Sequence, residues 1–233
     1  RHDEPVKLES VPQCLNQIIR ENAMALQADE SWPTIEFLLP YELIAEAVDQ
    51  WDRQSKVPGK KLGMDFPIVL RSLDRLQDPR YWFNWRQKWS QFGSRAQGLS
   101  TDDVLWVCQL AEYEPLALYK LLAGDLDKTS LGLAFPLVSD EAHESLFWAM
   151  IEAGLPVVIW YRRQNDLDQD PQLTRERIKD YIGRPKLAEL PGHLQSLRRT
   201  AARDPIELGN NLSLLWDDET RIPTKYTKPL TPP

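Results

Sequence analysis

The chain has 233 residues, of which 42% are apolar, and a formal net charge of −7. That length suits one large α/β domain. The acidic balance argues against a duplex nucleic-acid binder, which needs a basic face. Two cysteines, Cys14 and Cys108, are too few for a secreted disulfide scaffold or a structural zinc site and read as buried thiols in a reducing compartment. No apolar stretch reaches the ~20 residues that span a bilayer. The first residue is Arg1, not Met, which reads as a part of a longer polypeptide.

Residues 1–10 are charged and irregular, and Ser10 is placed to cap a helix over Val11–Leu26. Thr34–Leu39, halted by Pro40, predicts a strand, and the stripe Leu43, Ile44, Ala47, Val48, Trp51 predicts a helix over Tyr41–Trp51. A polar loop, Arg53–Asp65, leads to a second strand at Pro67–Leu70, followed at once by Arg71, Asp74 and Arg75. Asp78-Pro79 opens an aromatic helix with Trp82, Trp85 and Trp89 on one face, a pattern of core packing before one of base stacking.

Val104–Cys108 and Leu131–Phe135 predict short strands, with a helix between them from Glu114 to Leu122. Ser139 is the expected cap of a helix over Asp140–Ala153. Gly154 then introduces the most apolar run of the chain, the central strand Pro156–Tyr161, which ends in Arg162-Arg163. A run without alternation predicts a strand covered on both faces, as in parallel sheets between helical layers. After an acidic loop, Asn165–Pro171, come helices over Leu173–Ile182 and Leu187–Ala202, the second interrupted near Pro191-Gly192. Leu212–Trp216 is the last predicted strand and runs into Asp217-Asp218; residues 224–233 form a Pro- and Thr-rich extended tail. Strands alternating with helices imply a mainly parallel, Rossmann-like α/β sheet of about six strands with helices on both faces.

Motifs that carry chemistry are missing where they would be needed. Gly59–Gly63 lacks the spacing of a phosphate-binding loop, and the turn after the first strand has no glycines for a dinucleotide. His143-Glu144 has no second histidine one turn on, so it reads as a surface pair. Asp125-x-Asp127 precedes a strand and reads as a solvated turn. What remains are charges at element ends: Arg71, Asp74 and Arg75 after the second strand, Arg162 after the central strand, and Asp217 and Asp218 after the last. In a parallel sheet these would share one rim. They then form either local ion pairs and caps or a surface for a peptide, a partner domain or an anionic ligand. No catalytic residue, metal ligand or cofactor is assigned.

Taken together, the segments Ile35–Leu43, Val48–Trp51, Pro67–Arg75, the helix with Trp85 and Trp89, Ala153–Trp160 and Leu214–Asp218 resemble the C-terminal domain of vWA–MoxR-associated proteins over about Thr34–Pro223. The resemblance places Asp49, Trp51, Arg71, Asp74, Arg75, Trp160, Asp217 and Asp218 at motif positions and makes residues 1–33 a lead-in to an upstream module. It implies a bacterial cytoplasmic protein of a phage-defence or conflict system. A vWA-domain protein and a MoxR-type AAA+ ATPase would be its partners, and a trypsin-like or caspase-like protease is one upstream effector such chains carry. The function it implies is a non-catalytic sensing and coupling domain. The alternative is a divergent nucleotide-binding or Mg²⁺-dependent enzyme, with Arg71, Arg75 and Arg162 on phosphates and Asp217 or Asp218 on the metal. A third reading has the aromatic helix docking the effector.

Overall fold

The computed structural model describes residues 7–22, 33–163, 170–201 and 208–227. Residues 23–26 of the first predicted helix, most of the acidic loop and the end of the tail lie outside that set.

Strands β1 (Ile35–Leu39), β2 (Ile68–Ser72), β3 (Leu105–Val107), β4 (Ser130–Leu133), β5 (Val157–Tyr161) and β6 (Leu212–Trp216) form one sheet in the order β1-β2-β6-β5-β4-β3. Four of the five pairings are parallel. The fifth, β5 with β6, is antiparallel, with Ile159 opposite Leu214. The sheet is therefore two parallel blocks of opposite direction, β1-β2-β6 and β3-β4-β5, joined at its centre. The carboxyl end of β5 lies beside the amino end of β6, so the strand ends do not share one rim as the sequence had suggested.

Both faces are buried, as the unalternating strands require. Along β5, Val158 and Trp160 enter one core, with Leu118, Leu122 and Leu146 from α5 (Pro115–Ala123) and α6 (Glu141–Glu152). Val157, Ile159 and Tyr161 enter the other, with Phe92, Ile178 and Leu194 from α4 (Trp82–Arg95), α7 (Pro171–Ile182) and α8 (Leu190–Thr200). Two glycines make close approaches possible. Gly132 sits opposite Trp106 across the β3–β4 ladder, and a Cβ there would meet the indole ring at 2.5 Å. Gly154, at φ 77°, lets the turn before β5 lie against the backbone of Asn84, where a Cβ would come within 2.3 Å.

Several elements depart from expectation for local reasons. The expected helix over Tyr41–Trp51 is two 3-10 turns, Tyr41–Leu43 and Val48–Gln50. The apolar stripe is still buried at Ile44 and Val48, but the Tyr41 amide donates to Asp74 Oδ2 at 2.9 Å and Asp49 is drawn into a separate ion cluster. The cap of α6 is Asp140, whose carboxylate accepts from the His143 amide, and not Ser139. Pro191 and Gly192 do not interrupt a helix; they lie in the first turn of α8, where a missing amide hydrogen costs nothing. The tail opens on one helical turn, Thr224–Thr227. Helix α1 (Val11–Glu21) is tied down through Asn16, whose amide donates to Asp52 O and whose oxygen accepts from Arg53 Nη1 and the Gln54 amide.

Candidate functional site

The strand-end charges gather into two clusters, one at each end of β6. The first is built on β2 and the short helix that follows it, α3 (Leu73–Gln77). Strand β2 runs two residues further than its apolar run predicts, so Arg71 and Ser72 are strand residues. Parallel pairing of Leu70 with Leu215 sets the end of β2 beside the end of β6. Asp217 is anchored there by its own amide, which donates to Pro156 O at 2.9 Å, and by its carbonyl, which accepts from Trp85 Nε1 at 2.7 Å.

Asp217 is fully buried, as are Arg71 and Arg75. Arg75 Nη1 donates to Asp217 Oδ2 at 2.6 Å, and its Nη2 donates to Leu155 O at 3.0 Å. The same guanidinium lies 5.5 Å from the centre of the Trp85 ring. Arg71 Nε stands 3.6 Å from Asp217 Oδ1, while its Nη1 reaches Glu36 Oε2 at 3.1 Å and Arg221 O at 2.7 Å. Its Nη2 donates to the carbonyl of Asp218 at 2.5 Å. Burial pushes the Asp217 carboxyl above the usual carboxylate range, against the pull of the two guanidiniums, and it lowers Arg75 in the same way. A charge pair this deep is held by geometry and costs desolvation.

The second cluster lies at the other end of β6. Asp49 is nearly as buried and is gripped by two arginines from distant segments. Arg162, directly after β5, donates through Nη1 to Asp49 Oδ1 and through Nη2 to Oδ2 at 3.1 Å. Its Nη1 also reaches Ser213 Oγ at 2.9 Å, and its Nη2 donates to Asn210 O. Arg198 Nε, from the last turn of α8, stands 3.1 Å from Asp49 Oδ2, and its Nη2 donates to Leu212 O at 3.0 Å. Burial opposes ionisation of Asp49, but the positive charges of Arg162 and Arg198 and the hydrogen bonds from Arg162 and Gln50 outweigh it and hold the carboxyl low. Helix α2 (Leu62–Asp65) closes the cluster: a Cβ on Gly63 would meet Arg198 Cδ at 2.8 Å and Asp49 Cβ at 2.9 Å.

Of the residues singled out from sequence, Arg71, Arg75 and Asp217 thus meet in one place, and Asp49 and Arg162 in another. Asp74 and Asp218 stay at the border of the first cluster: Asp74 accepts from the Tyr41 amide, and Asp218 caps the Glu219–Arg221 turn through Thr220. The Asp217 and Asp218 side chains turn to different partners and do not converge on a common point. Phosphate oxygens could reach Arg71 or Arg75 only by displacing interior contacts. Among the described residues, no group of three or more His, Cys, Asp or Glu side chains is arranged to hold a metal ion. On the aromatic face of α4, Trp85 is fully buried, while Trp82, whose Nε1 donates to Arg75 O, and Trp89, packed on Phe92 and Trp216, are half-buried.

The sequence reading missed Arg198. Its signal was its place in the stripe Leu190, Leu194, Arg198, where a cation at a buried helical position calls for a buried carboxylate. Lys88 carries the same signal between Trp85 and Phe92; it is buried, its Nζ donates to Asp125 O and Lys128 O, and burial pulls it down to about 8.

A mostly parallel α/β sheet whose last strand is clasped at both ends by buried arginine–carboxylate clusters defines a structural class before any chemistry. Among known families, the model of the vWA-MoxR associated protein C-terminal domain, VMAP-C, matches residues 1–219. The chain belongs to that family, and the match takes in α1 as well as the sheet. Comparison with curated proteins and with solved structures returns no match. Among the described residues, no helix is long and apolar enough to cross a membrane.

Proposed function

We propose that this domain is a non-catalytic coupling module of a vWA–MoxR defence system. It binds a vWA-domain protein or a MoxR-type AAA+ ATPase and passes the event to an effector upstream in the same polypeptide. Family membership supports the system. The observation that carries the coupling role is the place of β6. This strand pairs with β2 of its own block and with β5 of the other. At one end Asp217 meets Arg75 of the same block, whose other arm holds the Leu155 carbonyl ahead of β5, and at the other end Asp49 meets Arg162 from after β5 and Arg198. A load applied to either block meets the other at the β5–β6 seam, which a buried latch flanks at each end. Transmission between distant sites requires an element with two discrete arrangements, and we assign that part to β6, latched here and unlatched on partner binding. The strand-end charges therefore act on the partner through the sheet and not by touching it.

The test is reconstitution. The full-length protein is mixed with the purified vWA protein and MoxR-type ATPase encoded beside it, and complex formation and effector activity are followed together. Stable association that changes effector activity is the expected result. Association with neither protein overturns the proposal.

A further inference from the structure

Open α/β sheets offer binding crevices where loops leave the carboxyl ends of parallel strands. In the β3-β4-β5 block, the loops after β3 and β4 enclose such a crevice, a groove of about 560 Å³. Leu110, Tyr113 and Pro115 line one side, and Ala142, Ser145 and Leu146, on α6, line the other. Leu116 and Val138, each next to these segments, are 52% and 39% exposed, so apolar surface continues past the groove.

Its charge is one-sided. Residues 108–118 and 136–148 carry Glu112, Glu114, Asp140, Glu141 and Glu144 and no lysine or arginine. Three of these are engaged locally: Glu112 accepts from the Cys108 amide, Asp140 from His143, and Glu144 from Trp148 Nε1. Glu114 and Glu141 hold no ion pair among the described residues, and both are exposed. Two cations of the neighbouring segments are committed or displaced: Arg175, close to Cys108, pairs with Glu176, and Lys120 stands on the exposed side of α5 more than a turn from Pro115. The positive amino ends of α5 and α6 open here, yet carboxylates already cover them, so a free anion finds little attraction.

From this geometry we infer that the groove docks a basic amphipathic segment of a partner protein. One or two apolar anchors enter between Tyr113 and Leu146, and flanking lysines or arginines meet Glu114 and Glu141. The inference rests on the reading of the domain as an interaction module and names its contact surface. Helix-in-groove recognition of this type takes its affinity from buried apolar anchors and its selectivity from the charged rim.

The experiment uses the full chain and three labelled peptides of about three helical turns, followed by fluorescence anisotropy. One has an apolar face with lysines elsewhere, the second has the same apolar face with glutamates, and the third is lysine-rich with no apolar face. The first is expected to bind at least about tenfold more tightly than either control. Ser145→Trp, which fills the groove from an exposed position, and Glu141→Lys should each weaken it about tenfold. Asp180→Lys, the same charge change on the exposed side of α7, should leave it unaltered. Equal binding of the glutamate peptide, or equal loss with Asp180→Lys, overturns the inference. So does a dimer of the chain that Ser145→Trp dissolves, because a second copy would then be the occupant. If Ser145→Trp protein still binds the vWA or MoxR partner as wild type does, the groove is not the contact while the coupling role stands. If wild type binds neither partner, the coupling role falls whatever the peptides do.

Discussion

The two ends of β6 solve the same problem with different chemistry. At the Asp217 end, one carboxylate serves Arg75 and, at 3.6 Å, Arg71, all three fully buried; Arg71 also holds Glu36, and further donors go to the carbonyls of Ile151, Leu155, Asp218 and Arg221. At the Asp49 end, the arginines come from the loop after β5 and the last turn of α8, and Arg162 keeps 9% of its side chain exposed. The first latch is interior and set in regular structure. The second lies closer to solvent and gathers loop and helix ends. The difference teaches that burying ion pairs fixes geometry at both ends at a desolvation cost, and that the Asp49 end is relieved of part of it at Arg162, which keeps some access to water.

The largest expected effect is Asp217→Ala, which leaves the buried Arg75 guanidinium without its carboxylate and Arg71 with Glu36 alone, and should cost about 3–5 kcal/mol in urea unfolding. Asp49→Ala should cost less, about 2–3 kcal/mol, because Arg162 retains Ser213 and Asn210 and some access to water. Equal losses would erase the contrast between the two latches. Gly63→Ala, pressing a methyl group onto Asp49 and Arg198, should cost about 1–3 kcal/mol and act only on the second latch.

Acid sharpens the comparison because the two carboxylates shift in opposite directions. Asp49 is held low when folded, so it adds stability above the unfolded value of about 3.9 and loses it as pH falls through the lower folded value. Asp217 is pushed up when folded, so stability falls as pH rises from about 3.9 through the folded value, and acidification relieves that end. In denaturant titrations, Asp49→Asn should therefore flatten the acid loss of stability and Asp217→Asn should steepen it. The reverse order would contradict the account. Lys88 titrates away from this window: lowered to about 8, it should make stability rise from there toward about 10.4, and Lys88→Met should remove that slope.

Much of this fold was legible in the sequence, and the reasons for the rest are specific. Apolar runs at Thr34–Leu39, Pro156–Tyr161 and Leu212–Trp216 marked strands to within a residue or so. Their direction was hidden, because a strand covered on both faces shows the same run whichever way it points. That is why Arg162 was grouped with Arg71 and Asp217, although β5 and β6 run oppositely. Asp49 was singled out without its partners, since its arginines lie 113 and 149 residues away in sequence and neither adjoins it in any periodic pattern. Side-chain demand, as at Tyr41 and Asp49, also overrode a helical stripe that spacing alone favoured.

The central claim is that β6 joins the two blocks as a single latched element. Native-state hydrogen exchange along Leu212–Trp216 in wild type and Asp217→Asn tests it most directly. The account predicts that Leu212 and Ser213, at the Asp49 end, lose protection together with Trp216. Loss confined to Trp216, Asp218 and the neighbouring turn, with Leu212 and Ser213 unchanged, would contradict it.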